Sequence, residues 1–377
     1  MERIKIITIV GTRPEIIRLS RIIYILDKNC KHTLVHTGQN YDYELNEIFF
    51  KDLNIRMPDF FLNSAGKNAN ITIGNLIINF DKILEKINPD ALLVLGDTNS
   101  CLSVIPAKKR KIPIFHMEAG NRCYDMRVPE ELNRRIVDHV SDINLTYSAI
   151  SRDYLIKEGV PPERIIKTGS PMMEVINFYK DKIKNSTIIS ELGLKKFDYY
   201  LASFHREENL ETNNFNRIVE ILNIICEKYK KPIIVSTHPR TRSKLEKFTD
   251  SIHELIRFIK PLSFSQYNNL QINSIAVLSD SGTISEESSI LNFPALNLRD
   301  THERPEAMEE GAVILCGLNP ERVIQSLEII KTQERGTSRS INIVDEYSKL
   351  NVSEKILRIL ISYTDFVRNY VWREKIY

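Results

Sequence analysis

No apolar run in these 377 residues approaches the ~20 needed to span a bilayer, so no membrane-spanning helix is expected. Net charge is scarce: 52 basic against 49 acidic residues leave a formal +3. That is too little for the strongly basic surface that nucleic-acid binding favours, although a local cluster of Arg could still hold a small anion. The five cysteines (Cys30, Cys101, Cys123, Cys226, Cys316) are scattered, odd in number and without a CxxC pair. This argues against a disulfide framework or a zinc site and for reduced, cytosolic thiols. HExxH and Gly-x-Ser-x-Gly are both missing, so neither metalloprotease nor α/β-hydrolase chemistry has its signature. There is no tandem repeat of solenoid length and no low-complexity segment. Met1-Glu2-Arg3-Ile4-Lys5 runs directly into an apolar strand, without signal-peptide architecture. The expectation is a soluble, cytoplasmic protein.

What is present is a globular composition, 42% hydrophobic and 27% charged, on a chain long enough for two domains. Ile4 to Val10 is nearly continuous in β-branched residues, as in a parallel strand buried on both faces. Gly11-Thr12-Arg13-Pro14-Glu15 follows, then Ile16, Ile17, Leu19, Ile22, Ile23 and Leu26 at helical spacing. Pro14 suits a first helical turn, where its missing N–H costs nothing. Leu34 to Gln39 repeats the design, and Ala69 to Ile87 reads as a helix ending before Pro89. Ala91 to Leu95 opens into Gly96-Asp97-Thr98-Asn99, and Ile112 to His116 opens into Glu118-Ala119-Gly120. Pro129 starts a helix with Glu130 and Glu131 in its first turn, which the helix dipole favours. Asp142 to Tyr147 is a further strand.

The pattern pauses around Lys167-Thr168-Gly169-Ser170-Pro171, and a second series follows. Tyr199 to Phe204 opens into His205-Arg206-Glu207-Glu208-Asn209, and Pro232 to Thr237 into His238-Pro239-Arg240. Ile275 to Leu278 opens into Ser279-Asp280-Ser281-Gly282-Thr283, and Pro294 to Leu298 into Arg299 to Glu306. The last apolar pattern, Tyr363, Phe366, Val367, Tyr370 and Val371, has no strand after it. The alternation predicts an α/β protein of two Rossmann-like domains facing a cleft. The first is expected over 1–169, the second over 170–361, with a helix at 362–377 lying back on the first.

Open α/β sheets bind ligands at the carboxyl ends of their strands. The first domain brings carboxylates there: Asp97, Glu118 and, one loop later, Glu130. The second brings His205, Arg206, the Ser281-Gly282 turn and Arg304, mostly cations and anion-binding donors. A small-residue turn opening a helix offers free N–H groups to an anion, and Gly282 would let a phosphate come close. Each feature also has an ordinary explanation. Asp97 and Glu118 read equally well as helix caps. The turn at Ser281 could be an ordinary strand-to-helix turn capped by Ser or Thr, Tyr267 is by default core packing, and Thr301 to Glu306 could be a solvated loop.

Six of these motifs stand together in one order: Gly11-Thr12-Arg13-Pro14-Glu15, Gly96-Asp97-Thr98, Glu118-Ala119-Gly120, Pro129-Glu130-Glu131-Leu132-Asn133-Arg134, Asp280-Ser281-Gly282 and Glu303-Arg304-Pro305-Glu306. In that order the chain resembles the non-hydrolysing UDP-N-acetylglucosamine 2-epimerases, from Ile4 to about Leu327. The resemblance implies a glycosyltransferase-B-like fold and neither metal nor other cofactor. It also implies interconversion of UDP-GlcNAc and UDP-ManNAc by inversion at carbon 2, through elimination of UDP and readdition to a 2-acetamidoglycal. By the same resemblance Asp97, Glu118 and Glu130 are the carboxylates of proton transfer, and His205 is the histidine near the leaving diphosphate. Arg13 and Arg304 match diphosphate ligands, Ser281 and Gly282 the phosphate-binding turn, Glu287 a ribose-binding carboxylate, and Tyr267 an aromatic against uracil. Arg18, Arg206 and Thr283 complete the expected substrate-binding set.

The chain departs from the family pattern in places. Arg18 stands where Lys is common, and Thr283 where a second Gly is common. Asn121-Arg122-Cys123 replaces Leu-Arg-Thr, and the stretch from Ser203 to Asn209 differs around its histidine. The last two resemble the capsule and O-antigen branch acting on UDP-linked 2-acetamido-2,6-dideoxyhexoses, such as the L-talose to L-fucose pair. A glycosyltransferase of the same two-domain fold and a hydrolysing epimerase are the alternatives. The expected partner is a UDP-N-acetylhexosamine, with neither nucleic acid nor membrane, and a homodimer is expected from the resemblance.

Overall fold

The computed structural model describes residues 3–38, 43–204, 212–237 and 252–374. Among them the chain forms two compact units: Met1–Asn177 together with Glu346–Tyr377, and Phe178–Asp345.

The first unit is built on strands β1 (Lys5–Val10), β2 (Lys31–His36), β3 (Phe60–Phe61), β4 (Ala91–Leu95), β5 (Ile114–Ala119), β6 (Ile143–Thr146) and β7 (Ile165–Lys167). They run in the order β3-β2-β1-β4-β5-β6-β7, every pairing parallel. The order reverses between β1 and β4, and such a switch point opens a crevice above the strand ends. Apolar residues on the strands meet helices that carry theirs at helical spacing. Ile7, Ile9, Leu92 and Val94 share a core with Leu76, Phe80 and Leu84 of the helix Ala69–Ile87. Burial of each such side chain contributes about 1.5–3 kcal/mol.

The second unit repeats the plan with β8 (Tyr200–Phe204), β9 (Ile233–Thr237), β10 (Ile256–Ile259), β11 (Val277–Ser279), β12 (Ala295–Asn297) and β13 (Ile314–Leu315). Its order is β10-β9-β8-β11-β12-β13, again all parallel. The reversal lies between β8 and β11. Two parallel α/β sheets of doubly wound order are the expected fold class.

The division between units falls after Asn177, inside the helix Met172–Lys184. The return to the first unit begins at Glu346, well before the helix expected from 362. Ser170 N–H donates to the Glu346 carbonyl at 2.9 Å. The helix Val352–Phe366, continued by a π-helical turn Val367–Val371, is tied in by polar contacts. Ser353 N–H donates to Glu174 Oε2 at 2.9 Å, Lys355 Nζ to the Thr168 carbonyl at 3.0 Å, and Arg368 Nη2 to Asp90 Oδ1 at 2.9 Å. Among the described residues no helix is long and apolar enough to cross a membrane.

Candidate active site

At the first switch point β1 ends in Gly11-Thr12, and the helix Arg13–Asn29 begins with Pro14 in its first turn. Glu15 folds back over that corner. Its Oε2 accepts from Gly11 N–H at 2.5 Å and Thr12 N–H at 3.1 Å, and its Oε1 accepts from Thr98 Oγ1 at 2.5 Å. One carboxyl group therefore stitches the end of β1 to the corner after β4. Burial pushes Glu15 up to about 7, with those hydrogen bonds pulling the other way. The Arg13 guanidinium lies over the Phe49 ring, 5.8 Å from its centroid.

After β4 the chain turns through Gly96, whose φ of +82° favours glycine, and delivers Asp97. Arg134 grips Asp97 Oδ2 through Nε at 3.0 Å and Nη2 at 2.7 Å, while Asn133 Nδ2 donates to the Asp97 carbonyl at 3.0 Å. Both partners come from the helix Pro129–Val140. Glu131, fully buried on it, accepts from Cys123 N–H and from Arg134 and Arg135. Burial opposes its charge, yet these donors hold its carboxyl below the usual range. Glu130 stands in the first turn of that helix, half-buried.

Glu118 stands at the carboxyl end of its strand, within β5 itself. β5 runs on through Ala119, and its register against β6 shifts between Met117 and Ala119. Glu118 sits in that bulge at φ +64°, a left-handed conformation uncommon for a residue with a side chain. Bulges re-aim side chains next to active sites. This one brings Glu118 Oε2 within 2.6 Å of Arg18 Nη1, both side chains under a tenth exposed, and Asn121 Nδ2 donates to Oε1 at 3.5 Å. The buried Cys101 thiol registers what has been gathered here. It is raised well above its usual value by burial first, then by the charges of Glu15, Asp97 and Glu118. The first unit thus brings Asp97 and Glu118 into one neighbourhood, with Arg18 and Arg134 as their countercharges.

In the second unit, Asp280-Ser281-Gly282 links β11 to the helix Ile284–Leu291, with Thr283 at its start. Ser281 N–H donates to Ser279 Oγ at 3.1 Å, and the Ser281 and Thr283 hydroxyls lie 3.0 Å apart. A Cβ on Gly282 would come within 2.8 Å of Glu303 Oε1. Glu303 is held in turn by Arg299 Nη1 at 2.6 Å, so any side chain at Gly282 would have to displace that carboxylate from its partner. Glu287 accepts from Gln271 Nε2 at 2.7 Å, and Arg304 Nη2 lies 3.4 Å from Glu286 Oε2, all in buried surroundings. Tyr267 packs against the core of Leu270, Ile284 and Phe293. Its hydroxyl donates to Ser203 Oγ at 2.9 Å, which lies 2.9 Å from Ser279 Oγ at the neighbouring strand end.

His205 and Arg206 lie outside the described residues, as do Gln39 and the run His238-Pro239-Arg240. Glu15, Asn133 and Arg134 are site-building residues that sequence reasoning did not assign. Glu15 had a signal, since Thr12-x-x-Glu15 is the spacing of a capping box. Arg134 stands three residues after Glu131, on the same helix face, but nothing local points from it to Asp97.

The whole chain bears comparison with known proteins. Residues 25–361 match the family model for UDP-N-acetylglucosamine 2-epimerase. The structure of a UDP-N-acetylglucosamine 2-epimerase from Rickettsia bellii superposes with a TM-score of 0.93 at 48% identity, covering 99% of this chain and 100% of that one. The Methanocaldococcus jannaschii UDP-GlcNAc 2-epimerase, solved in complex with UDP-GlcNAc and UDP, gives a TM-score of 0.88 at 35% identity over 95% of this chain and 100% of that one. A Pseudomonas aeruginosa UDP-2,3-diacetamido-2,3-dideoxy-D-glucuronate 2-epimerase is 33% identical over 85% of this chain and 91% of its own length. The fold these structures share is glycosyltransferase-B-like. With matches that span nearly its full length, the chain belongs to the UDP-N-acetylglucosamine 2-epimerase family.

Proposed function

We propose that this chain is a non-hydrolysing UDP-N-acetylglucosamine 2-epimerase, interconverting UDP-GlcNAc and UDP-ManNAc. The observation that carries this is the pair Asp97 and Glu118, two carboxylates from adjacent strand ends, each with a buried arginine. The hydrogen at carbon 2 of an N-acetylhexosamine has no neighbouring carbonyl to acidify it. Breaking the bond from carbon 1 to UDP gives that carbon oxocarbenium character and makes the hydrogen removable. A carboxylate takes the proton, leaving a 2-acetamidoglycal and UDP. A second group then delivers a proton to the opposite face as UDP adds back.

Proton removal and return call for two groups acting in turn as base and acid, roles assigned to Asp97, Glu118 and Glu130. Leaving-group charge needs donors, assigned to Arg13, Arg304, His205 and the turn Ser281-Gly282-Thr283. Ribose and uracil contacts are assigned to Glu287 and Tyr267, and Arg18 and Arg206 to the substrate-binding set. The same proposal includes a cytoplasmic homodimer, for which sedimentation at several concentrations is the check.

Incubation with UDP-GlcNAc in deuterium oxide tests the activity. Label at carbon 2 with the UDP-sugar intact supports it. Free sugar would make the enzyme a hydrolysing epimerase, and unlabelled substrate would leave a glycosyltransferase of this fold. The sugar itself is decided by comparing kcat/KM for UDP-GlcNAc and UDP-2-acetamido-2,6-dideoxy-L-talose. A site that hydrogen-bonds a hydroxyl rejects the deoxy analogue by ~10⁴-fold or more, whereas an apolar one rejects the extra hydroxyl by only ~100-fold.

A further inference from the structure

We propose that Asp138 is a positioning residue, a buried carboxylate that sets the bulge presenting Glu118 and, through His116, the corner presenting Asp97. This rests on the roles given above to those two carboxylates. Asp138 lies on the helix Pro129–Val140, fully buried, as is His116, with Arg122 only 2% exposed. A bulge leaves a ladder N–H without its regular partner, and a buried orphan donor is costly. Just past the bulge, where the strand ends, Gly120 N–H donates to both oxygens of Asp138, each at 3.2 Å. On the other side, Arg122 Nη1 donates to Asp138 Oδ2 at 2.7 Å and to the Asn121 carbonyl at 2.6 Å. Asp138 therefore clamps the chain immediately after Glu118 from two directions.

The bulge has little freedom to relax elsewhere. Gly120 is at φ +80°, and a Cβ there would stand 2.3 Å from the Ser151 carbonyl oxygen. Glu118 at φ +64° is in a strained conformation that persists only where the surroundings enforce it. The reach to Asp97 runs through His116, whose Nε2 donates to the Gly96 carbonyl at 2.8 Å, while its Nδ1 approaches Asp138 Oδ1 at 2.9 Å without hydrogen-bond geometry. One buried carboxylate thus faces both strand ends that deliver the reacting groups. A purely stabilising ion pair has no need of that convergence, and buried ion pairs seldom add net stability.

The test is Asp138→Asn, which keeps the shape but leaves one oxygen to accept where two did. A displacement of about 1 Å at a reacting group lowers turnover by ~100-fold. We therefore expect carbon-2 exchange per folded molecule to fall ~10- to 100-fold, with KM and UDP affinity moving by no more than roughly twofold. Wild-type turnover in folded Asp138→Asn, or kcat and KM worsening together, would overturn the proposal. If that variant does not fold, His116→Phe removes the link to Gly96 and keeps the ring volume. A lower kcat at unchanged KM supports the proposal, and unchanged kcat refutes it. Wild type measured alongside separates the two layers: if it exchanges no deuterium, the activity assignment itself fails.

Discussion

Replacing Glu15 by Gln should alter how the stability of the first unit depends on pH, by an amount the structure sets. The carboxyl loses its proton near 4.5 when solvated and near 7 in the fold, because burial disfavours its charge. Between those values the folded state holds a proton that the unfolded state does not. Its contribution is fully present below 4.5 and is lost as pH rises through 7. At ~1.4 kcal/mol per pKa unit, the loss by pH 8 is about 3 kcal/mol.

Gln keeps the shape without the charge. Its oxygen can accept from Gly11 and Thr12 N–H, and its amide can donate to Thr98 Oγ1 once that hydroxyl turns to Ser100 Oγ, 3.1 Å away. Glu15→Gln should therefore gain about 3 kcal/mol relative to wild type between pH 4.5 and 8. Other titrating groups cancel in the difference. The assay is urea unfolding followed by Trp372, the only tryptophan in the sequence and a residue of the same unit. A difference between the two proteins that does not move with pH would refute the reasoning.

Asp97→Asn and Glu118→Gln should each lower carbon-2 deuterium exchange by ~10²–10⁴-fold while UDP still binds. Wild-type exchange in a folded variant removes that residue from the mechanism. Gly282→Val should abolish UDP binding by calorimetry with the circular dichroism unchanged, since the first added carbon already meets Glu303 at 2.8 Å. Unchanged UDP affinity in the folded variant would take the turn out of the site.

How far the sequence could be read depended on where each element lies. Strands β1, β2, β4, β5, β6, β8, β9, β11 and β12 were expected within a few residues, and all are interior to their sheets. An interior parallel strand is covered on both faces and shows an unbroken apolar run. The strands not expected, β3, β7, β10 and β13, are the four sheet edges. They are two to four residues long, and their burial is broken. With one flank open, neither length nor pattern separates them from loop. The helix Ala69–Ile87 was expected at its true ends, because its apolar residues recur at helical spacing and Pro89 follows it. The contacts of the helix Val352–Phe366 with Glu174 and Thr168 were not legible, because those partners lie far back in sequence.

The site divides differently. The carboxylates proposed to react, Asp97 and Glu118, stand at strand ends, where α/β topology alone directs attention. Their supports were not legible. In the helix Pro129–Val140, a hydropathy pattern would turn Leu132 inward and leave Glu131, Arg134 and Asp138 in water. The fold does the reverse: Leu132 is 53% exposed, while Glu131 and Asp138 are fully buried and Arg134 nearly so. The inversion has a physical cause. That face meets strand-end backbone and carboxylates, namely Asp97, the Cys123 amide and the Gly120 amide. Groups of that kind are satisfied only by donors and acceptors held at fixed angles. Local rules fail where a buried surface must be polar to orient something else. A helix turned charged side inward is therefore itself a mark of the residues it holds in place.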